Sequence, residues 1–139
     1  MTDTKNTNML PEGFVSVRSR LDGFYQVAIG NAIEGTLLDS FESDSDYGRR
    51  KVYKIKITNA KPLVAKTGKW VATPTVVADD NGKRNAEVGE VIGVDEKGWL
   101  KGLAEIESGS TVYVCCTGQG EAKAGRSAPW VFSIGKVPL

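Results

Sequence analysis

A mainly β fold is expected from three features of the chain. Apolar and polar residues alternate with a period of two in several short runs, most cleanly in "KVYKIKIT", Lys51–Thr58, and that is the period of a half-buried strand. Turn chemistry such as "DSDYG" and "DDNG" separates those runs. A single segment, "EKGWLKGLAEIES", carries apolar residues at helical spacing.

The elements follow in order. Residues 1–13, "MTDTKNTNMLPEG", are polar and read as a flexible leader to a single domain over 14–139. "FVSVRSR" and "GFYQVAIGN" contain short alternating runs that suit an added edge strand. "AIEGTLLDSFES" reads as a long strand bent at Gly35, with Ile33, Leu37 and Phe41 sharing a parity. Lys51–Thr58 is its hairpin partner. Residues 60–86 read as an excursion, a protruding β-ribbon, with one or two short strands, most clearly in "KWVATPTVV", and a tight turn at Asn81-Gly82. "AEVGEVIGVDE" is the next strand, with Val88, Val91, Ile92 and Val94 as its apolar content and a bulge at Gly89. Asp95 can cap the helix that follows, on which Trp99, Leu103 and Ile106 share a face, and Gly109 suits its stop. "TVYVCCTG" and "PWVFSIGKV" close the chain, joined by the glycine-rich, basic loop "GQGEAKAGRSA".

Strand, strand, strand, helix, strand, strand, with a bent first strand, is the order of a five-stranded Greek-key barrel of the OB type, with the short helix between the third and fourth core strands. A small β-sandwich is the competing architecture.

Composition narrows the function. The formal charge is +1, so an electrostatic argument must rest on where charges lie rather than on their sum. No apolar run reaches the roughly 20 residues of a membrane span, and a cytoplasmic address is the expectation. There is no histidine, which removes Ser-His-Asp and Cys-His catalysis and the common zinc sites. Neither metal nor cofactor is called for, and a binding module is expected rather than an enzyme. Cys115 and Cys116 are adjacent, too strained for a bridge to each other. Cys116 suits the core, and Cys115 is expected nearer the surface.

Four segments resemble a group of small proteins encoded by bacteriophages and prophages. They are the "G-x-L-L" of Gly35–Leu38, the "V-G-E-V-I-x-V-D-E" of Val88–Glu96, the "L-x-x-L" of Leu100–Leu103 and the aromatic strand Trp130–Ile134. The resemblance implies an OB fold similar to phage single-stranded DNA-binding proteins and a role in replication or recombination. The chain ends "SIGKVPL", without the acidic tail such proteins often use to recruit partners.

A binder of single strands needs a basic track and exposed rings on which bases stack. The outer face of the second core strand offers Arg50, Lys54 and Lys56, with Tyr47 just before it. Lys69 and Trp70 stand in the excursion, Tyr113 has outward parity on the fourth core strand, and Lys123 and Arg126 lie in the glycine-rich loop. Each has a plainer reading: lysine rows also solubilise strands and guard edges. The expected partner is single-stranded DNA or RNA, bound without sequence preference, with a homodimer through an edge strand and a phage or host replication protein as further partners. The alternative is a protein-interaction barrel, a virion component or an inhibitor of a host enzyme, whose ribbon pairs with a partner.

Overall fold

The structure, a computed structural model, describes residues 21–45, 48–96, 98–121 and 129–137; of residues 43–45, 48–50 and 98–101 only the backbone is described. Among the described residues ten strands form: β1 (Gly23–Tyr25), β2 (Ala32–Ser45), β3 (Gly48–Asn59), β4 (Leu63–Lys66), β5 (Lys69–Ala72), β6 (Val76–Asp79), β7 (Gly82–Asn85), β8 (Val91–Asp95), β9 (Thr111–Gln119) and β10 (Trp130–Lys136). Eight of them make one sheet in the order β10-β9-β2-β3-β8-β1-β6-β7, and β4 and β5 pair as a separate ribbon. The main sheet is mixed, because β1 runs parallel to β8 while its other pairings are antiparallel.

The long hairpin β2–β3 dominates. Its strands are irregular where the sequence demands it. At Gly35 the register shifts, and a Cβ there would lie 2.0 Å from the Lys56 carbonyl oxygen, so only glycine permits the approach. A second shift between Leu37 and Ser40 adds one residue to β2. An extra residue exchanges the two faces of a strand, so Phe41 does not join Ile33 and Leu37 in the core as its parity predicts. It stands opposite Val52 and is 37% exposed.

The inner face gathers Ile33, Leu37, Tyr53, Ile55, Ile57, Val77, Ile92, Val94, Val112 and Val114 into one core. Phe132 and Ile134 pack against it from β10. The sheet curves over this core: the rings of Tyr25 on β1 and Phe132 on β10, remote in strand order, lie 6.4 Å apart. Asn31 ties the seam, with its Nδ2 donating to the carbonyls of Gln26 (2.6 Å) and Val76 (2.8 Å) and its Oδ1 accepting from Val76 N (2.9 Å).

Several expectations are corrected. The main sheet has eight strands, not five. The segment after β8 forms a 3₁₀ helix over Gly98–Glu105, as suits a stretch in which Gly98 and Gly102 depress α-helical propensity. Leu103 is buried as expected, and Gly102 lets this turn sit on Ile134. Asp95 ends β8, and Glu96 N extends the pairing to the Lys51 carbonyl (2.7 Å). Val88 lies before β8 and is exposed; Gly89 forms a turn with φ 94° instead of a bulge. "KWVATPTVV" splits into β5 and β6 around Pro74, which cannot donate to a ladder. The turn at Asn81-Gly82 joins β6 and β7 as expected. Among the described residues, no helix is long and apolar enough to cross a membrane.

Candidate nucleic-acid interface

The ribbon β4–β5 is closed by Thr67-Gly68, both at positive φ (50° and 80°), the two-residue turn whose twist matches paired strands. Sequence reading missed this hairpin because Thr-Gly is a weaker signal than Asn-Gly. The ribbon folds back on the outside of the sheet. Val64 is buried there with Ala32 of β2 and Cys115 of β9, beside Tyr113. The Tyr113 hydroxyl donates to the Leu63 carbonyl (2.6 Å), and Thr75 Oγ1 donates to the Ala32 carbonyl (2.5 Å) at the ribbon's base. This cover corrects the expectation for Cys115, which is only 4% exposed. Burial pushes both thiols above their usual pKa, so neither is a ready nucleophile.

Two compartments adjoin Tyr113, one between ribbon and sheet and the other over β2, β9 and β10. The first, about 320 Å³, is lined by Ile29, Val64, Trp70, Tyr113, Cys115 and Ser133 among others. The second, about 300 Å³, is lined by Glu34, Thr111, Tyr113, Gly135, Lys136 and Val137 together with Val112. Trp70 is 67% exposed, so one part of its ring system remains available for stacking. Loss of hydration pushes the Tyr113 phenol up to about 12; it stays protonated and keeps its bond to Leu63 across the physiological range. Lys66 and Lys69 face each other directly at the tip of the ribbon, both exposed. Like charges placed opposite cost stability, a cost that an anionic ligand between them would offset.

The sequence-derived candidates thus separate. Trp70 and Tyr113, distant in the chain, meet in one groove; Lys69 neighbours Trp70 on β5, points to the other face of that strand and lines neither compartment. Lys54 does not present a free cation. It is 8% exposed, its Nζ lies 3.7 Å from Asp39 Oδ1 and 5.3 Å from the centre of the Phe41 ring. The faces exchanged at the β2 bulge bring Phe41 over it. On its other side, Gly93 leaves room for the Phe24 ring, which a Cβ would meet at 2.9 Å. Lysine stems pack well under such apolar covers. Lys56 is exposed on β3 opposite Thr36, and lines neither compartment. Arg50 is placed by its backbone in β3 alone, while Tyr47, Lys123 and Arg126 lie outside the described residues.

Residues that sequence reading passed over include Lys136 and Glu34 in the second compartment, and the half-exposed rings Phe24 and Phe41. Alternation along β2 could have placed Glu34 outward; nothing in the sequence signals that β10 and β2 flank Tyr113 together. Arg84, on β7, is fully engaged. It bonds Asp79 (2.6 Å), Glu90 (2.7 Å from both Nη1 and Nη2) and the Asp22 carbonyl (2.8 Å). These bonds hold the Asp79 and Glu90 carboxyls below their usual pKa.

A larger cavity, about 570 Å³, adjoins Phe24 and the β6–β7 turn. Asp22, Asp79 and Asp80 line it, and carboxylates repel phosphate, so a polyanion is not placed there. Among the described residues, no group of three or more histidine, cysteine or acidic side chains is arranged to hold a metal ion. Comparison of the chain with protein-family models, with curated proteins and with solved structures finds no match in any of the three.

Proposed function

We propose that this chain is a non-catalytic binder of single-stranded nucleic acid, DNA in the first place, serving phage replication or recombination in the host cytoplasm. The observation that carries the reading is the convergence of Trp70 and Tyr113 on one groove, with the opposed and exposed Lys66 and Lys69 at the tip of the same ribbon. Rings accept bases of any sequence, and flanking lysines accept the phosphates between them. The order β10-β9-β2-β3-β8, with the 3₁₀ helix between β8 and β9, is that of an OB barrel opened between its third and fifth strands. The Tyr25–Phe132 contact bridges the gap on this reading, and β1, β6 and β7 extend the third strand's side.

Anisotropy titration with labelled oligo(dT) at two salt concentrations tests the proposal. Two engaged lysines predict a log–log salt slope of about −1.4, at about −0.7 per phosphate. Trp70→Ala removes one stacked base and weakens binding by about 5- to 150-fold, the equivalent of ~1–3 kcal/mol. Flat isotherms at low salt refute the reading, as does unchanged affinity in Trp70→Ala.

Exposed Ile29, Leu63 and Val71 near Trp70 favour a second reading, a protein partner docking on the ribbon. A partner that stays bound to the protein after nuclease digestion, with no oligonucleotide binding, supports that reading instead.

A further inference from the structure

The two compartments differ in chemistry. That beside Trp70 is lined largely by apolar side chains, Ile29, Val64 and Ala65, with Thr117 and Ser133 among them. The second holds a carboxylate, Glu34, which stands directly opposite Tyr113 across the β2–β9 pair as Gly135 does across the β9–β10 pair, so the three share one face. Its floor is flat at Gly135, where an added Cβ would have no atom within 4 Å. Asn59 Nδ2 donates to Glu34 Oε1 at 3.4 Å, a long bond that orients the carboxylate while leaving most of its acceptor capacity unused.

We propose that the second compartment selects guanine, which makes the binding of single strands sequence-biased rather than uniform. The inference rests on the nucleic-acid reading above. Guanine's Watson–Crick edge presents two adjacent donors, N1–H and N2–H, beside one acceptor, O6. A carboxylate takes both donors, while the ring stacks on Tyr113. Thymine presents acceptor, donor, acceptor: one of its carbonyl oxygens then faces a carboxylate oxygen, and that juxtaposition costs binding. Glu34 is the specificity residue.

The test compares oligo(dT) about eight nucleotides long with the same oligonucleotide carrying one central dG, by anisotropy at fixed salt. The wild-type protein binds the dG oligonucleotide about five- to tenfold more tightly, the lower part of the range for a bidentate base contact. Glu34→Gln brings the ratio close to one and leaves oligo(dT) affinity equal or stronger, since a negative charge is lost. Gly135→Val, which fills the floor where the surroundings are open, also collapses the ratio, and its unfolding temperature checks that the fold is kept. Equal wild-type affinity for the two oligonucleotides overturns the guanine assignment alone, as does a ratio that survives Glu34→Gln. Failure to bind either oligonucleotide overturns the nucleic-acid reading, and this inference with it.

Discussion

Replacing Tyr113 by phenylalanine removes one oxygen and leaves the stacking ring in place. That oxygen joins the sheet to the ribbon, donating to the Leu63 carbonyl at 2.6 Å. Leu63 is exposed, so water can hydrate the abandoned carbonyl and no buried acceptor is orphaned. The net loss is therefore in the lower part of the usual range for a hydrogen bond, ~0.5–1 kcal/mol. Val64 remains buried against Ala32 and Cys115, so the ribbon stays docked but opens about two- to fivefold more often. The assay is amide hydrogen exchange followed by residue. Protection falls by that factor over Leu63–Ala72, while Ile55, Ile92 and Val114 in the core keep wild-type protection, because their exchange needs wider unfolding. Unchanged exchange in the ribbon, or an equal acceleration in ribbon and core, refutes the claim that this bond holds the ribbon down.

Gly35→Ala places a Cβ 2.0 Å from the Lys56 carbonyl oxygen. Backbone, not a flexible side-chain end, blocks it, so the central hairpin must shift, at roughly 3 kcal/mol or more, read as a lowered denaturation midpoint. Gly135→Ala meets nothing within 4 Å and leaves the midpoint unchanged. Acid titration addresses the Arg84 cluster. Asp79 and Glu90 have folded pKa values below the ordinary 3.8 and 4.5 of such carboxyls, so their contribution is present above about pH 4.5 and is lost as pH falls through the depressed values. Arg84→Gln removes that part of the acid dependence of chemical denaturation; an unaltered pH profile in the variant contradicts the assignment.

Much of the architecture was legible in local pattern. Alternation in β3 and β9 identified the buried residues Ile55, Ile57, Val112, Val114 and Cys116, because side-chain period in a strand is set by the backbone alone. Gly35 declared the bend in β2, and the absence of histidine closed off whole reaction classes before any coordinate was known. The same logic misplaced Phe41, since a bulge between Leu37 and Ser40 exchanges the two faces and leaves no mark in the composition. The short helix expected after β8 forms as a 3₁₀ helix over Gly98–Glu105.

What tertiary structure alone decided is which side chains share a space. Lys54 and Lys56 have equal standing in the sequence, yet Asp39, Phe41 and Phe24 enclose the first and leave the second exposed. Trp70 and Tyr113 are 43 positions apart by residue number, and meet because the ribbon folds back onto β9. Periodicity reports the face a residue occupies on its own strand. Which faces come together depends on register and on how the chain folds over the sheet, and those are fixed by contacts between residues remote in sequence.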